Sequence, residues 1–345
     1  MPEGPEVAVV IGAYRRERFL LSAVRSVLAQ TLPHDRYEVI VTKNFVDPEI
    51  DRFLEQQRIP TLFDNDPRIG TWLLRAVAAT HAPYLAFLDD DDEFEPERLS
   101  HALEVLRADP GLGFYRNRVH VIDERGEPVP SETWRFYAVD DYFDGRGPVT
   151  VSPRDKNGLA ELALERTRVS FNSSTMVVRR ELLEAELGAV FSRTQLPDVA
   201  LFVLAAVSPF GLYLDDRRLT RYRHYAGKVT HRVPWLRHAG EAYRDLASLA
   251  RAHESRDLAD RLAQVSEHYD RLYRAGTIVE QVGAGANRRK VARLAEEYLR
   301  FLGQHPAERA LALDVWAPEV YAASYLLVPG VARRMSARQA ARRRS

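Results

Sequence analysis

Short apolar runs alternate with longer stretches of helical spacing over the first ninety residues or so. Val7–Ile11, Tyr37–Val41, Pro60–Phe63 and Tyr84–Leu88 have the length and content of buried strands. Between them Leu20, Leu21, Val24, Val27 and Leu28 recur on one helical face, and Pro48–Gln57 and Gly70–Thr80 also read as helices. Strands separated by helices predict crossover units and a mostly parallel α/β sheet. Ligands of such sheets bind at the carboxyl ends of the strands. Gly12-Ala13-Tyr14, Lys43-Asn44, Asp64-Asn65-Asp66 and Asp89–Asp92 all fall there.

Further on, Pro96–Ala108 reads as a helix and Gly113–Asp123 as a strand running into a turn at Arg125-Gly126. Residues 124–158 are rich in Gly and Pro and predict a long loop that is either functional or mobile. Ser174–Val178 is strand-like, Pro197–Val207 helical and Leu212–Leu214 a last short strand. From about Val233 the pattern is almost wholly helical. The expected organisation is a main domain over 1–230, a helical domain over 231–330 and a basic tail over 331–345.

Composition narrows the function classes. The chain has 345 residues, 46% hydrophobic and 28% charged, enough for a core and against wholesale disorder. It has no cysteine, so thiol nucleophiles, disulfides and Cys-ligated metal sites are excluded. Formal net charge is zero, which argues against a nucleic-acid-binding surface covering the molecule. That zero is an average: residues 1–230 carry 29 basic and 36 acidic side chains, residues 231–345 carry 20 and 13. The acidic, proline-broken start Met-Pro-Glu-Gly-Pro-Glu does not read as a signal peptide, and no run of 18 apolar residues occurs. A cytoplasmic protein is expected. The tail 331–345 holds six Arg and no acid. It fits either peripheral contact with the anionic inner membrane face or a solvated basic end.

The stretch with most chemical content is Phe87-Leu88-Asp89-Asp90-Asp91-Asp92. Adjacent carboxylates at the mouth of a buried strand repel one another, and a hard divalent ion is the simplest relief. On an extended segment Asp89 and Asp91 point one way and Asp90 the other, making Asp89 and Asp91 a metal-and-ribose pair. The competing reading is helix capping, in which Asp92, Glu93 and Glu95 serve the helix that begins at Pro96.

With these residues in view, the chain resembles family 2 glycosyltransferases of the GT-A fold over residues 7–231. Val7–Tyr14 with Arg16 is similar to the family's opening strand and nucleotide loop, and Ala23–Thr31 to its first helix. Phe87–Leu99 resembles its D-x-D segment, and Met176–Glu181 the strand before its acceptor region. Leu196–Leu204 resembles the catalytic-base helix and Tyr213–His224 the strand ending in a Tyr-Arg-x-His-like signature.

The resemblance implies transfer of a sugar from a nucleoside-diphosphate sugar to a glycan or lipid-linked hydroxyl, with inversion, in glycan biosynthesis. It implies Mg²⁺ or Mn²⁺ on Asp91 with Asp89, and Asp198 as catalytic base. Nucleotide-sugar contacts carry over to Ala13, Tyr14, Arg16, Asn44, Arg75, Asp89, Asp90, Arg223 and His224. Two departures stand out: Thr42-Lys43-Asn44 replaces the family's Asp-bearing segment after the second strand, and Pro197-Asp198 replaces Glu-Asp. A nucleotidyltransferase, or a catalytically silent nucleotide- or glycan-binding protein on the same fold, are the alternatives.

Overall fold

The computed structural model describes residues 4–130 apart from Arg15 and Pro67, then 147–153, 169–225 and 233–304 apart from Ala284 and Ala286. Residues 131–146 and 154–158 of the expected loop, the stretch 305–330 and the tail 331–345 lie outside them.

The first half follows the periodicity. Strand β1 (Val7–Ala13) is buried along its whole length and pairs in parallel with β2 (Tyr37–Lys43) and β4 (Tyr84–Asp89). Strand β3 (Thr61–Phe63) adds in parallel to β2. Helix α1 (Leu20–Leu28) buries Leu20, Ala23, Val24 and Val27. Helix α2 (Pro48–Gln56) starts where the Asp47 carboxylate accepts the N–H groups of Glu49 and Ile50, with Pro48 in the first turn. Helix α3 (Ile69–Ala78) leads into β4. The register sets Gly12 against both Thr42 and Asp89, Ala13 against Lys43, and Lys43 against Phe63. The carboxyl ends of all four strands thereby reach one edge.

Beyond β4 the sheet becomes mixed. Its order is β3-β2-β1-β4-β8-β6-β9-β5, with β5 (Glu93–Phe94), β6 (Leu112–Ile122), β8 (Met176–Arg179) and β9 (Gly211–Arg223) forming the second half. Strand β8 runs antiparallel to β4 and β6, whereas β6 and β9 are parallel. Helices α4 (Arg98–Ala108), α5 (Ala185–Phe191) and α6 (Pro197–Val207) accompany these strands.

Several expectations are corrected here. The last strand spans 13 residues rather than Leu212–Leu214. Its central Asp215-Asp216-Arg217-Arg218 hides it in the sequence, and the β6–β9 pairing shifts register there. Asp215 is nonetheless buried, held by Tyr115 Oη at 2.7 Å and His101 Nε2 at 2.7 Å. Strand β7 (Val149–Val151), inside the expected loop, pairs antiparallel with β9. Glu93 and Phe94 form a two-residue strand β5 on β9, so Glu93 does not cap a helix. Helix α4 begins at Arg98, with no side-chain cap bond at Glu97.

The chain forms two compact units: one takes it to Val229 and includes Ser248–Ala259, the other holds Thr230–Ala247 and the chain from Asp260 on. Helices α7 (Val233–Ala252), α8 (Arg256–Gly283) and α9 (Arg288–Gln304) make the helical region. Within the second unit Tyr243 stacks on Tyr269 with ring centroids 5.4 Å apart, and Ser266 Oγ donates to the Gly240 carbonyl at 2.8 Å.

Candidate functional site

The acidic run is a turn. The chain leaves β4 at Asp89 and closes with the Asp92 N–H on the Asp89 carbonyl at 3.1 Å, while the Asp90 N–H bonds the Gly12 carbonyl of β1 at 3.2 Å. The alternation expected of an extended segment therefore fails, and Asp90 does not face away from Asp91. Arg16 reaches both, Nη2 to Asp90 Oδ1 at 2.5 Å and Nη1 to Asp91 Oδ2 at 2.8 Å. Tyr225 Oη donates to the same Asp91 oxygen at 3.0 Å. Burial works against the charge on Arg16, yet Asp90, Asp91 and Asp89 outweigh it and raise its pKa.

Asp92 is fully buried and does not cap a helix. Its Oδ1 accepts the Arg223 N–H at 3.0 Å, and its Oδ2 accepts Asn172 Nδ2 at 2.8 Å and Ser174 Oγ at 2.9 Å. Asp89 is held by the neighbouring residues: Ser173 Oγ donates to its Oδ1 at 3.1 Å, and its own N–H bonds Ser174 Oγ at 3.0 Å. The fully buried Arg98 supports that segment, its Nη2 donating to the carbonyls of Ser174 at 3.0 Å and Met176 at 3.2 Å. Burial lowers its pKa to about 10.

The donor set suits a hard cation. One oxygen each of Asp89, Asp91 and Asp92 lie within 4.8 Å of one another, and carboxylate oxygens are the ligands Mg²⁺ and Mn²⁺ prefer. Asp92 enters this group unforeseen, and its protein donors make it the support behind Asp89 and Asp91. A cation on Asp91 Oδ2 would have to displace Arg16.

Asp198 sits in the first turn of α6, after Pro197. Its Oδ2 accepts the Asn172 N–H at 3.1 Å and its Oδ1 the Val199 N–H at 2.9 Å. Burial pushes its pKa up, and these donors offset the shift only in part. Asn172 therefore joins the carboxylate assigned to proton removal and the acidic turn.

The other expected residues take distinct places. Ala13 is buried at the end of β1, with Tyr14 half-buried at the bend after it. Lys43 is buried, its Nζ donating to the Phe45 carbonyl at 2.6 Å and pairing with Asp51 at 2.7 Å. Asn44 beside it is half-buried. Arg75 pairs with the buried Asp64 at the end of β3.

Arg223, a nucleotide-sugar contact by the resemblance, lies beneath the turn. It is 2% exposed, and its guanidinium donates to Glu93, to the Asp91 carbonyl at 3.0 Å and to the Asp123 carbonyl at 3.0 Å. Arg221 pairs with Glu93 at 2.8 Å, and the exposed His224 donates its N–H to the Ile122 carbonyl. The arginines are thus a relief for the acidic run supplied by the chain itself. Sequence reasoning missed Tyr225, one residue past the Tyr-Arg-x-His-like signature, and the segment Asn172–Ser174, whose polar residues carried no spacing signal.

Residues 8–185 match the family described as glycosyl transferase family 2. Protein CgeD of Bacillus subtilis (strain 168) is 26% identical over 140 residues, 36% of this chain and 32% of that protein. An uncharacterized glycosyltransferase of Nostoc sp., alr2836, is 31% identical over 131 residues, 36% of this chain and 39% of its own length. The match thus spans less than two-fifths of either curated relative. Among solved structures, S. aureus TarS 1–349 superposes with a TM-score of 0.53 at 14% identity, over 93% of this chain and 91% of TarS. The same protein in complex with UDP-GlcNAc gives a TM-score of 0.56 at 15% identity, over 93% and 92%. At such identities the likeness speaks for the fold, and the fold is of the GT-A type. With more than half of its length matched by the family, this chain belongs to glycosyl transferase family 2.

Proposed function

We propose that the chain transfers a sugar from a nucleoside-diphosphate sugar to the hydroxyl of a glycan or lipid-linked acceptor, with inversion at the anomeric carbon. The single observation that carries this reading is the turn Asp89–Asp92, three of whose carboxylates converge within 4.8 Å at the end of β4, joined through Asn172 to Asp198. A nucleotide-sugar donor is further supported by the family and by the UDP-GlcNAc complex of the TarS relative.

In this reading Asp89 and Asp91 hold Mg²⁺ or Mn²⁺, with Asp92 fixing the turn behind them. When bound, the cation neutralises charge on the departing diphosphate as a Lewis acid and template. Asp198 accepts the proton of the attacking hydroxyl, and its raised pKa makes it a stronger base than an exposed aspartate. Arg16, which pairs with Asp90 and Asp91, would be released by a cation bound there and could then pair with the diphosphate. Ala13, Tyr14, Asn44, Arg75 and Asp90 frame the nucleotide, with His224 at the edge of the donor site. Arg223 contributes from below, as a strut under the turn.

The family's uracil-facing carboxylate is replaced by Lys43, whose ammonium is turned inward to Phe45 and Asp51. The base is therefore left to experiment. Melting the protein with UDP, GDP, CDP and dTDP in Mn²⁺ identifies it by the largest stabilisation.

The test of the activity compares cleavage and transfer of nucleotide-sugars by wild type and Asp91→Ala. Metal-stimulated turnover is expected in wild type and a loss of 100-fold or more in the variant, about 3 kcal/mol of transition-state stabilisation. Absence of metal-stimulated turnover with any nucleotide-sugar would sink the reading in favour of a silent binding protein. Sugar-1-phosphate activation by a nucleoside triphosphate would favour a nucleotidyltransferase.

A further inference from the structure

Three non-glycine residues among those described have positive φ: Arg58 at 55°, Glu254 at 61° and Asn172 at 67°. Arg58 and Glu254 follow helices, where a left-handed residue is an ordinary way to end a helix. Asn172 follows no helix. It is buried, with ψ at 103°, and precedes the single turn Ser173–Thr175 that leads into β8. A left-handed residue other than glycine persists only where its surroundings over-determine it.

Its surroundings are the two halves of the site. The Asn172 N–H donates to Asp198 Oδ2 at 3.1 Å, and its Nδ2 donates to Asp92 Oδ2 at 2.8 Å. Its Oδ1 accepts the Ser174 N–H at 2.8 Å, and its carbonyl accepts Thr175 Oγ1 at 2.7 Å. The torsion φ sets the angle between a residue's N–H and its Cβ. Its unusual value is therefore what aims the N–H at one carboxylate while the side chain reaches another. The carboxamide suits the task because it both donates and accepts. Aspartate would set a further carboxylate against Asp92, and glycine or alanine would offer no side-chain donor.

We propose that Asn172 is a positioning residue that couples the proton-accepting carboxylate of Asp198 to the cation-holding turn Asp89–Asp92. The inference rests on the reading of Asp198 and the acidic turn given above. Its distinctive consequence is that the two links separate by substitution. Asn172→Gly keeps the backbone conformation and the N–H on Asp198, and loses the link to Asp92. Asn172→Ala loses the link to Asp92 and disfavours the left-handed backbone as well.

The test uses the full chain. Mn²⁺ affinity is measured by calorimetry with the metal alone, kcat of nucleotide-sugar cleavage at saturating Mn²⁺, and the melting temperature. Loss of a residue that orients a metal ligand typically weakens binding about 10- to 100-fold. Both variants are expected to lose about tenfold in Mn²⁺ affinity by the same reasoning. Asn172→Ala is expected to lose about tenfold more in kcat than Asn172→Gly, because only in Ala does the donor to Asp198 move as well. Equal loss of kcat in both variants, or unchanged Mn²⁺ affinity in a folded Asn172→Gly, would overturn the coupling while leaving the activity in place. Should Asn172→Ala fail to fold, calorimetry on Asn172→Gly still decides whether the carboxamide serves the metal turn. A wild type that neither binds Mn²⁺ nor cleaves a donor overturns the functional reading and this inference with it.

Discussion

Asp198 meets two opposing demands. Its burial raises the folded-state pKa above the unfolded value, so the native chain binds this proton more tightly than the unfolded one. Stability therefore falls as pH rises between the two values, and at neutral pH the ionised carboxylate costs stability. Asp198→Asn, which cannot ionise, is expected to lose that part of the pH slope, read by melting curves from acid to neutral. The same variant should lose about 10²- to 10⁴-fold in kcat if Asp198 is the general base. In wild type the acid limb of kcat should lie above the usual carboxylate range.

Arg16 offers a second residue-scale test. It neutralises Asp90 and Asp91 and stands on the oxygen a cation would take. Arg16→Met should lower the melting temperature without metal, because it leaves buried carboxylates less well compensated. It should also enlarge the stabilisation by Mn²⁺, which at 100 times its Kd is worth about 2.7 kcal/mol. Thermal shifts with and without Mn²⁺ check both signs.

At the scale of elements, close approach explains a glycine that periodicity leaves unremarked. A Cβ on Gly70, in α3, would lie 1.8 Å from the Phe191 carbonyl oxygen, and the Gly70 N–H bonds the Thr194 carbonyl at 3.1 Å. A backbone atom cannot step aside as a side-chain tip can. Gly70→Ala is expected to cost about 1–3 kcal/mol, seen as a lower denaturation midpoint. The opening strands and helices were legible because each buries one kind of face, and α1 displays its buried residues at helical spacing. The second half was less so. Polar residues in the middle of β9 are stabilised by partners far along the chain, Tyr115 and His101 on Asp215 among them. Glu93 looked like a helix cap, whereas in the fold it accepts Ser22 from α1 and both Arg221 and Arg223 from β9.

For the whole molecule, the division into units makes a prediction that elements alone do not. Ser248–Ala259 belongs to the compact unit that otherwise ends at Val229. A chain of residues 1–259 is therefore expected to melt several degrees above one of residues 1–229, about 2–4 °C per kcal/mol for domains of this size, in circular dichroism. No helix among the described residues is long and apolar enough to cross a membrane. The six arginines of 331–345 supply the charge for peripheral contact with an anionic surface. The full chain should sediment with phosphatidylserine vesicles at low salt, be released at high salt, and lose the contact when Arg342, Arg343 and Arg344 become Gln.

The sequence by itself determined the parallel half of the sheet, the end of it at which chemistry collects, and the acids that mark the site. Those properties follow from local periodicity and from a run of four carboxylates at the end of a buried strand, more than helix capping asks for. Only the tertiary structure decided what each acid does. It bent the acidic run into a turn, set Arg16 and Tyr225 on Asp91, bonded Asp92 to Arg223 and Asn172, and joined Asp198 to that turn through a single left-handed residue. These contacts link residues up to 134 positions apart, and no local pattern records a partner at that distance.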